Sequence, residues 1–279
     1  MTELTRRNGN LIGTFENQYL ELLNEVLIGE YKEDRTGVGT TSVHGVSLKA
    51  RNVGEYFPLL TSKLVRFKSV LAEYEWMKAG ETNIHTLQTQ EGKHVGIWDA
   101  WADEEGELGP VYGKQWRDCH GVDQLQRVLE GLQSDPLSRR HMINSWNVAD
   151  LDKMALPPCH FNVQFLVRGQ HAFRTLDCVV SQRSGDLFLG IPFNMAFYAL
   201  MVADLCEELN KTYGDDFHWT AGDVTIHIGD AHIYRNHAKQ VQEQLIRKTF
   251  RPPRLRFRSG GWQVWNYNHS GVLRGEVAV

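Results

Sequence analysis

From Phe193 to Leu209 the chain reads FNMAFYALMVADLCEEL, apolar around most of a helical circumference. A helix of this kind has no polar face to give to water, so it must lie inside, with other elements covering it on all sides. This requirement makes it the spine of the fold. With 279 residues, 42% hydrophobic and 23% charged, the chain can build such a core within one large domain.

The covering layers are legible as two kinds of pattern. Asn17–Ile28 places Tyr19, Leu20, Leu23, Val26 and Leu27 at helical spacing, and Val122–Leu132 does the same with Leu125, Val128, Leu129 and Leu132, so both are expected to be amphipathic helices. Strand-like stretches run over His141–Asn147, His160–Val167 and Ala172–Ser181. Another pair, Arg254–Arg258 and Trp262–Tyr267, flanks the turn Ser259-Gly260-Gly261. The expected class is α+β. Asp99–Trp116 reads as a loop, but its Trp, Gly and Tyr content is that of an ordered, functional one.

Several classes are excluded. A net charge of -4 and a pI near 6.3 argue against non-specific binding to nucleic-acid backbone, which needs an excess of clustered cations. The N-terminus MTELTRRNGNLIG has no apolar leader-like run, and no stretch offers the roughly 18 to 20 apolar residues of a spanning helix. A cytoplasmic protein, or one of the host cytoplasm if viral, is expected. The four cysteines Cys119, Cys159, Cys178 and Cys206 are widely spaced, with no CxxC pair, and read as reduced thiols.

One of them stands out. In Pro157-Pro158-Cys159-His160 a thiol opens a strand behind two prolines that restrict the backbone. Alone, a cysteine is more often a small buried hydrophobe, and a nucleophile needs cations nearby. A Cys-His dyad with His160 is disfavoured because successive strand residues point to opposite faces. Arginine clusters at Asp34-Arg35-Thr36-Gly37, Ser138-Arg139-Arg140 and Gln182-Arg183-Ser184-Gly185-Asp186 suit a phosphate; any one of them alone is more often a solvated face or surface ion pair, and the three together put the anion reading level with it.

The histidines His227, His232 and His237 are five residues apart, which fits neither HExxH nor a zinc finger. No metal is expected; hydrogen bonding to a polar ligand is the better reading. Glu73, in the apolar helical stretch Ser69–Ala79, is a candidate proton handler, while an exposed glutamate is the commoner case.

Taken together the segments resemble one family, the folate-dependent thymidylate synthases with their relatives, the pyrimidine nucleotide hydroxymethylases. The similarity runs from about Asn17 to Val279. It is carried by DRTG at Asp34, IWDAWADEEGELGPVYGKQWR from Ile97, DPLSRR from Asp135, MALPPCH from Met154, QRSGDLFLGIPFN from Gln182, GDAHIY from Gly229 and the terminal VAV. What the resemblance implies is a single catalytic domain over 17–279 after an N-terminal extension of 1–16. Its mixed β-sheet would pack against helices and form the interface of a homodimer.

The resemblance also implies roles. Cys159 would attack C6 of deoxyuridylate (dUMP), so that C5 attacks the one-carbon unit of 5,10-methylenetetrahydrofolate. Arg183 would raise the thiolate fraction. Arg35, Arg183 and Ser184 would hold the 5'-phosphate, joined by Arg139 and Arg140 from the second subunit. His232 and Tyr234 would meet the ribose 3'-hydroxyl, and Asn194 the uracil edge. Glu73 and Tyr112 would move protons. Trp98, Trp101, Asp186, Gly190, Phe193 and Val279 would hold and cover the folate, with Lys63 at its glutamate tail.

Four positions depart from the methylating pattern: Leu64, Glu75, Ser181 and Phe197. Glu75 resembles the hydroxymethylases, where water rather than hydride quenches the exocyclic methylene. Hydride transfer needs a closed, dry site, and Trp98 with the C-terminal cap favours closure, so methylation to dTMP is expected ahead of hydroxymethylation. A non-catalytic nucleotide binder, which would be expected to lose the nucleophile or its arginines, is the more remote alternative.

Overall fold

The computed structural model describes residues 6–7, 10–11, 14–170, 172–213 and 217–278. Two short strands, β1 (Arg6–Arg7) and β2 (Asn10–Leu11), form an antiparallel pair at the N-terminal end. The chain groups into two compact units, one of Met1–Val65, Arg183–Ala199 and Asp223–Ala278, the other of Arg66–Gln182 and Leu200–Gly222.

In the first unit, α1 (Phe15–Leu27) starts two residues before the apolar pattern does, because Thr14 caps it: the Thr14 hydroxyl accepts from the Asn17 N–H at 3.3 Å. Tyr19, Leu22, Leu23 and Val26 are buried on one face. The helix packs on β4 (Thr40–Ala50) and on α6 (Ala238–Ile246). β3 (Glu30–Lys32) pairs antiparallel with β4, and β4 pairs antiparallel with the strand β8 (His218–Tyr234).

None of β3, β4 and β8 was anticipated. β8 does alternate, with Val224, Ile226 and Ile228 buried and Thr225, His227 and Gly229 more open, but its glycines, aspartates and histidines mask the period that identifies a strand. The hairpin of β9 (Arg254–Arg258) and β10 (Gly261–Trp265) forms as expected.

In the second unit, α2 (Phe67–Ala79) ends on Gly80 at φ 87°, a left-handed cap that suits glycine. α2 packs on α3 (Tyr112–Arg117), α3 on α4 (Gln124–Ser134), and α4 on β5 (Met142–Asn144). The strand expected over His141–Asn147 shortens to those three residues. β6 (His160–Gln170) pairs antiparallel with β5 and with β7 (Phe173–Asp186).

The six strands of the main sheet lie in the order β3-β4-β8-β7-β6-β5. β7 and β8 run parallel: a Cβ at Gly222 would meet Asp177 and Leu176, one at Gly229 would meet the Arg183 carbonyl, and Leu187 N–H donates to the His232 carbonyl at 2.8 Å. The sheet is therefore mixed, as the family resemblance implies. The helix α5 (Gly190–Tyr213) contains the apolar run Phe193–Leu209, none of whose residues is exposed. No helix among the described residues is long and apolar enough to cross a membrane.

Candidate active site

The candidate nucleophile belongs to the second unit. Cys159 sits one residue before β6, behind Pro157 and Pro158. Its backbone N–H donates to the Tyr112 hydroxyl at 2.8 Å, so the first residue of α3 holds the thiol's backbone in place. Cys159 is half-buried, whereas Cys178 and Cys206 are buried in apolar surroundings that push their thiols up and keep them inert.

Around Tyr112 the aromatic rings form a chain. Tyr112 is 2% exposed, stacks on the His160 ring at 4.2 Å, and meets the edge of Trp98 at 5.9 Å. Burial holds the Tyr112 phenol well above its usual range and pushes the His160 imidazole down to about 3, so both stay neutral. His160 is thus a neutral ring stacked on Tyr112.

Trp98 connects this chain to a carboxyl group. Its Nε1–H donates to Glu73 Oε1 at 2.7 Å, and Trp101 packs against it edge-on at 5.8 Å. Glu73 is buried on α2, and its desolvation raises the carboxyl to about 7 against the lowering effect of the Trp98 bond. Two residues on, Glu75 is exposed and bonds to Gln90, because i and i+2 point to different sides of a helix.

Gln182 and Trp101 are among the described residues of this unit whose buried polar atoms have no hydrogen-bond partner, as is Trp219. Gln182, across from His160 in the β6–β7 register, is 3% exposed with neither end of its amide bonded among the described residues. Trp101 Nε1 is likewise buried without an acceptor. Buried polar groups of this kind call for a ligand or water. Gln182 lies within the QRSGDLFLGIPFN motif, where nothing but its burial in the fold sets it apart. Arg139 and Arg140 are exposed, with no carboxylate partner among the described residues. Gln164 donates to the Arg139 carbonyl at 3.0 Å, which steadies that turn.

The first unit carries the other candidates. Arg35 is exposed in a turn built on Asp34, whose carboxylate accepts from the Thr36 hydroxyl at 2.9 Å and the Gly39 N–H at 3.0 Å; Gly37, at φ 71°, provides the reversal. Arg183 and Ser184 lie on β7, and His232 and Tyr234 are two residues apart on β8 with their rings edge-to-face at 5.0 Å. Asp186 Oδ1 accepts from the Phe188 N–H at 2.8 Å and the Leu189 N–H at 3.2 Å, closing the turn into α5. Gly190, Phe193 and Asn194 are half-buried in the first turns of α5.

Lys63 is placed differently from an exposed binder of a folate tail. It is 4% exposed, its ammonium is bonded to the Phe188 carbonyl and lies 3.7 Å above the Phe188 ring, and burial lowers it to about 8. The C-terminal segment seats on the same wall: the Glu276 carbonyl bonds His237 Nε2 at 2.8 Å, and a Cβ at Gly275 would strike Phe188 and His237. Val279 lies outside the described residues.

The family model for thymidylate synthase matches residues 17–276, most of the chain. The chain belongs to the thymidylate synthase family. It is accordingly an enzyme that modifies C5 of dUMP with methylenetetrahydrofolate as co-substrate. Within the second unit, the Trp98–Trp101 pair and the buried Trp101 N–H, without an acceptor among the described residues, suit a flat ligand with a hydrogen-bond acceptor such as a folate. Among the described residues no group of three or more His, Cys, Asp or Glu side chains is arranged to hold a metal.

Proposed function

We propose that the reaction is the reductive methylation of dUMP to dTMP, carried out in the cytoplasm by a homodimer whose catalytic domain spans 17–279. One observation carries the choice of product. Glu75, the residue that most resembles the hydroxymethylases, is exposed on α2 beside Gln90, while Glu73 is the buried carboxyl bonded to Trp98. An exposed carboxylate is poorly placed to hold a water at a reacting carbon, and the apolar wall beside Glu73 is suited to excluding it.

In this reading Cys159 Sγ forms a bond to C6 and makes C5 nucleophilic. The Tyr112 hydroxyl, bonded to the Cys159 N–H, keeps the nucleophile's backbone fixed. Glu73, raised to about 7, is protonated often enough near neutrality to exchange a proton with the pyrimidine. The folate, when bound, supplies the one-carbon unit and the hydride. Arg35, Arg183 and Ser184 bind the 5'-phosphate, with Arg139 and Arg140 donated across the dimer; the exposure of those two arginines without carboxylate partners supports it.

Asn194 reads the uracil, and His232 and Tyr234 the ribose. Trp98, Trp101, Asp186, Gly190, Phe193, Val279 and Lys63 form the folate side. For Lys63 this requires the side chain to leave its seat on Phe188.

The test incubates the protein with dUMP and methylenetetrahydrofolate, follows dihydrofolate by absorbance and identifies the nucleotide by mass. Thymidylate with stoichiometric dihydrofolate is expected; 5-hydroxymethyl-dUMP with tetrahydrofolate would replace methylation by hydroxymethylation. Cys159→Ser should bind dUMP but not turn over, and appreciable turnover would remove the covalent step.

A further inference from the structure

Asp230 lies two residues before His232 on β8 and has no part in the roles described so far. Its carboxylate is fully engaged on both sides. Oδ1 is 3.1 Å from Nδ1 of His232, whereas Oδ2 takes the Lys32 ammonium and lies 3.5 Å from Nε2 of His44. The sheet makes this possible, since β4 runs between β3, which carries Lys32, and β8, with His44 directly across from Asp230 and Ser42 across from His232. Lys32 and His44 are open to solvent, with side chains 42% and 73% exposed, while the His232 side chain is 9% exposed. An ion pair at the sheet's edge thus reaches a buried ring through one carboxylate.

The chemistry of the ring follows from its neighbours. Nδ1 faces two oxygens, the Asp230 Oδ1 and the Asp230 carbonyl at 3.4 Å, and both can only accept. Nδ1 therefore carries the hydrogen. In the neutral ring Nε2 is then a lone pair, an acceptor.

We propose that Asp230, itself held by Lys32, is a positioning residue that fixes His232 with its acceptor nitrogen toward the nucleotide, so that the enzyme selects a sugar whose 3'-hydroxyl donates. This rests on the reading that His232 meets the ribose. In an Asp230→Asn variant the Lys32 ammonium keeps the amide oxygen on its own side and turns the amide NH2 to His232 Nδ1. The ring must then move its hydrogen to Nε2.

The tautomer of His232 is read by 15N NMR on the full-length, histidine-labelled protein, with a His232→Gln sample to assign the signal. Binding of dUMP and of 2',3'-dideoxyuridylate is measured by calorimetry on the same proteins. In the native protein Nδ1 is expected to be protonated and Nε2 bare, with dUMP preferred over the dideoxy nucleotide by about tenfold, the worth of one hydrogen bond. Asp230→Asn should invert the nitrogen pattern and reduce the preference to about threefold or less, leaving dideoxyuridylate affinity unchanged.

A native ring protonated on Nε2 would overturn the proposal without any variant being made. So would an unchanged tautomer in Asp230→Asn, or an equal loss of affinity for both nucleotides, which is what a merely structural residue gives. Equal native affinity for the two nucleotides would instead remove the ribose reading of His232, whatever the tautomer.

Discussion

Two buried glutamates, one in each compact unit, have nearly the same exposure and opposite surroundings. Glu16 on α1 is 5% exposed and its carboxylate accepts from the Thr61 N–H at 2.8 Å, the Thr61 hydroxyl at 2.6 Å and the Ser62 N–H at 2.6 Å. Glu73 on α2 is 7% exposed and has one donor among the described residues, the Trp98 indole at 2.7 Å. Burial raises both carboxyls. Only at Glu16 do several donors compensate, so that the group ties the first turn of α1 to residues 61 and 62. At Glu73 little opposes desolvation, and the carboxyl is left near 7. Burial alone therefore does not set a carboxyl near neutrality; burial with a shortage of donors does, which is what the proposed acid-base role of Glu73 asks for.

The sharpest way to break this contrast is to remove each charge while keeping its shape. Glu73→Gln should lower turnover about 10²–10⁴-fold, the usual worth of a positioned acid-base group, with dUMP affinity retained. Steady-state kinetics beside calorimetry would show it, and unchanged turnover would put Glu73 among the structural groups.

Stability against pH comes next. Glu73 has an ordinary value of 4.5 and a folded value of about 7, so the fold favours its protonated form. Its contribution is fully present below pH 4.5 and is lost as pH rises toward 7, by about 3 kcal/mol at most. Urea midpoints measured across that window should fall with pH in the native protein and fall less in Glu73→Gln; parallel curves would contradict the raised carboxyl.

Glu16→Gln should do the reverse of Glu73→Gln: a loss of about 1–3 kcal/mol in stability, because the amide NH2 meets the donors of Thr61 and Ser62, and turnover within about twofold of native. A large loss of turnover at full stability would erase the distinction. The smallest effect is expected from Trp98→Phe, which removes the single donor that lowers Glu73. The limb of the pH-rate profile governed by Glu73 should move upward, by about one pH unit or less. A downward movement would mean that the indole is not what holds that carboxyl.

How much of this was legible depended on the kind of signal. The α5 spine, α1, α4 and the β9–β10 hairpin were visible because apolar period or turn chemistry is local. β4 and β8 were not, since one side of each is polar and both contain glycine, as at Gly45 and Gly229. Cys159, Arg183, His232 and the remaining site residues stood out through ordered motifs that resemble a family, not through any spacing between them. Asp230 and Gln182 lay within the quoted motifs without a role. Glu16 gave no signal, because nothing in FENQYL shows that Thr61 and Ser62 will supply its donors.

By itself the sequence determined the α+β class, the buried spine and the family with its chemistry, because these rest on residue identity and on neighbours close along the chain. Only the tertiary structure decided which carboxyl has few donors, that Glu75 faces out while Glu73 faces in, that Lys63 is buried on Phe188, and that the Asp230 carboxylate stands between Lys32 and His232. Each of these depends on desolvation and on donors brought in from distant segments, and a protonation state belongs to a surrounding before it belongs to a residue.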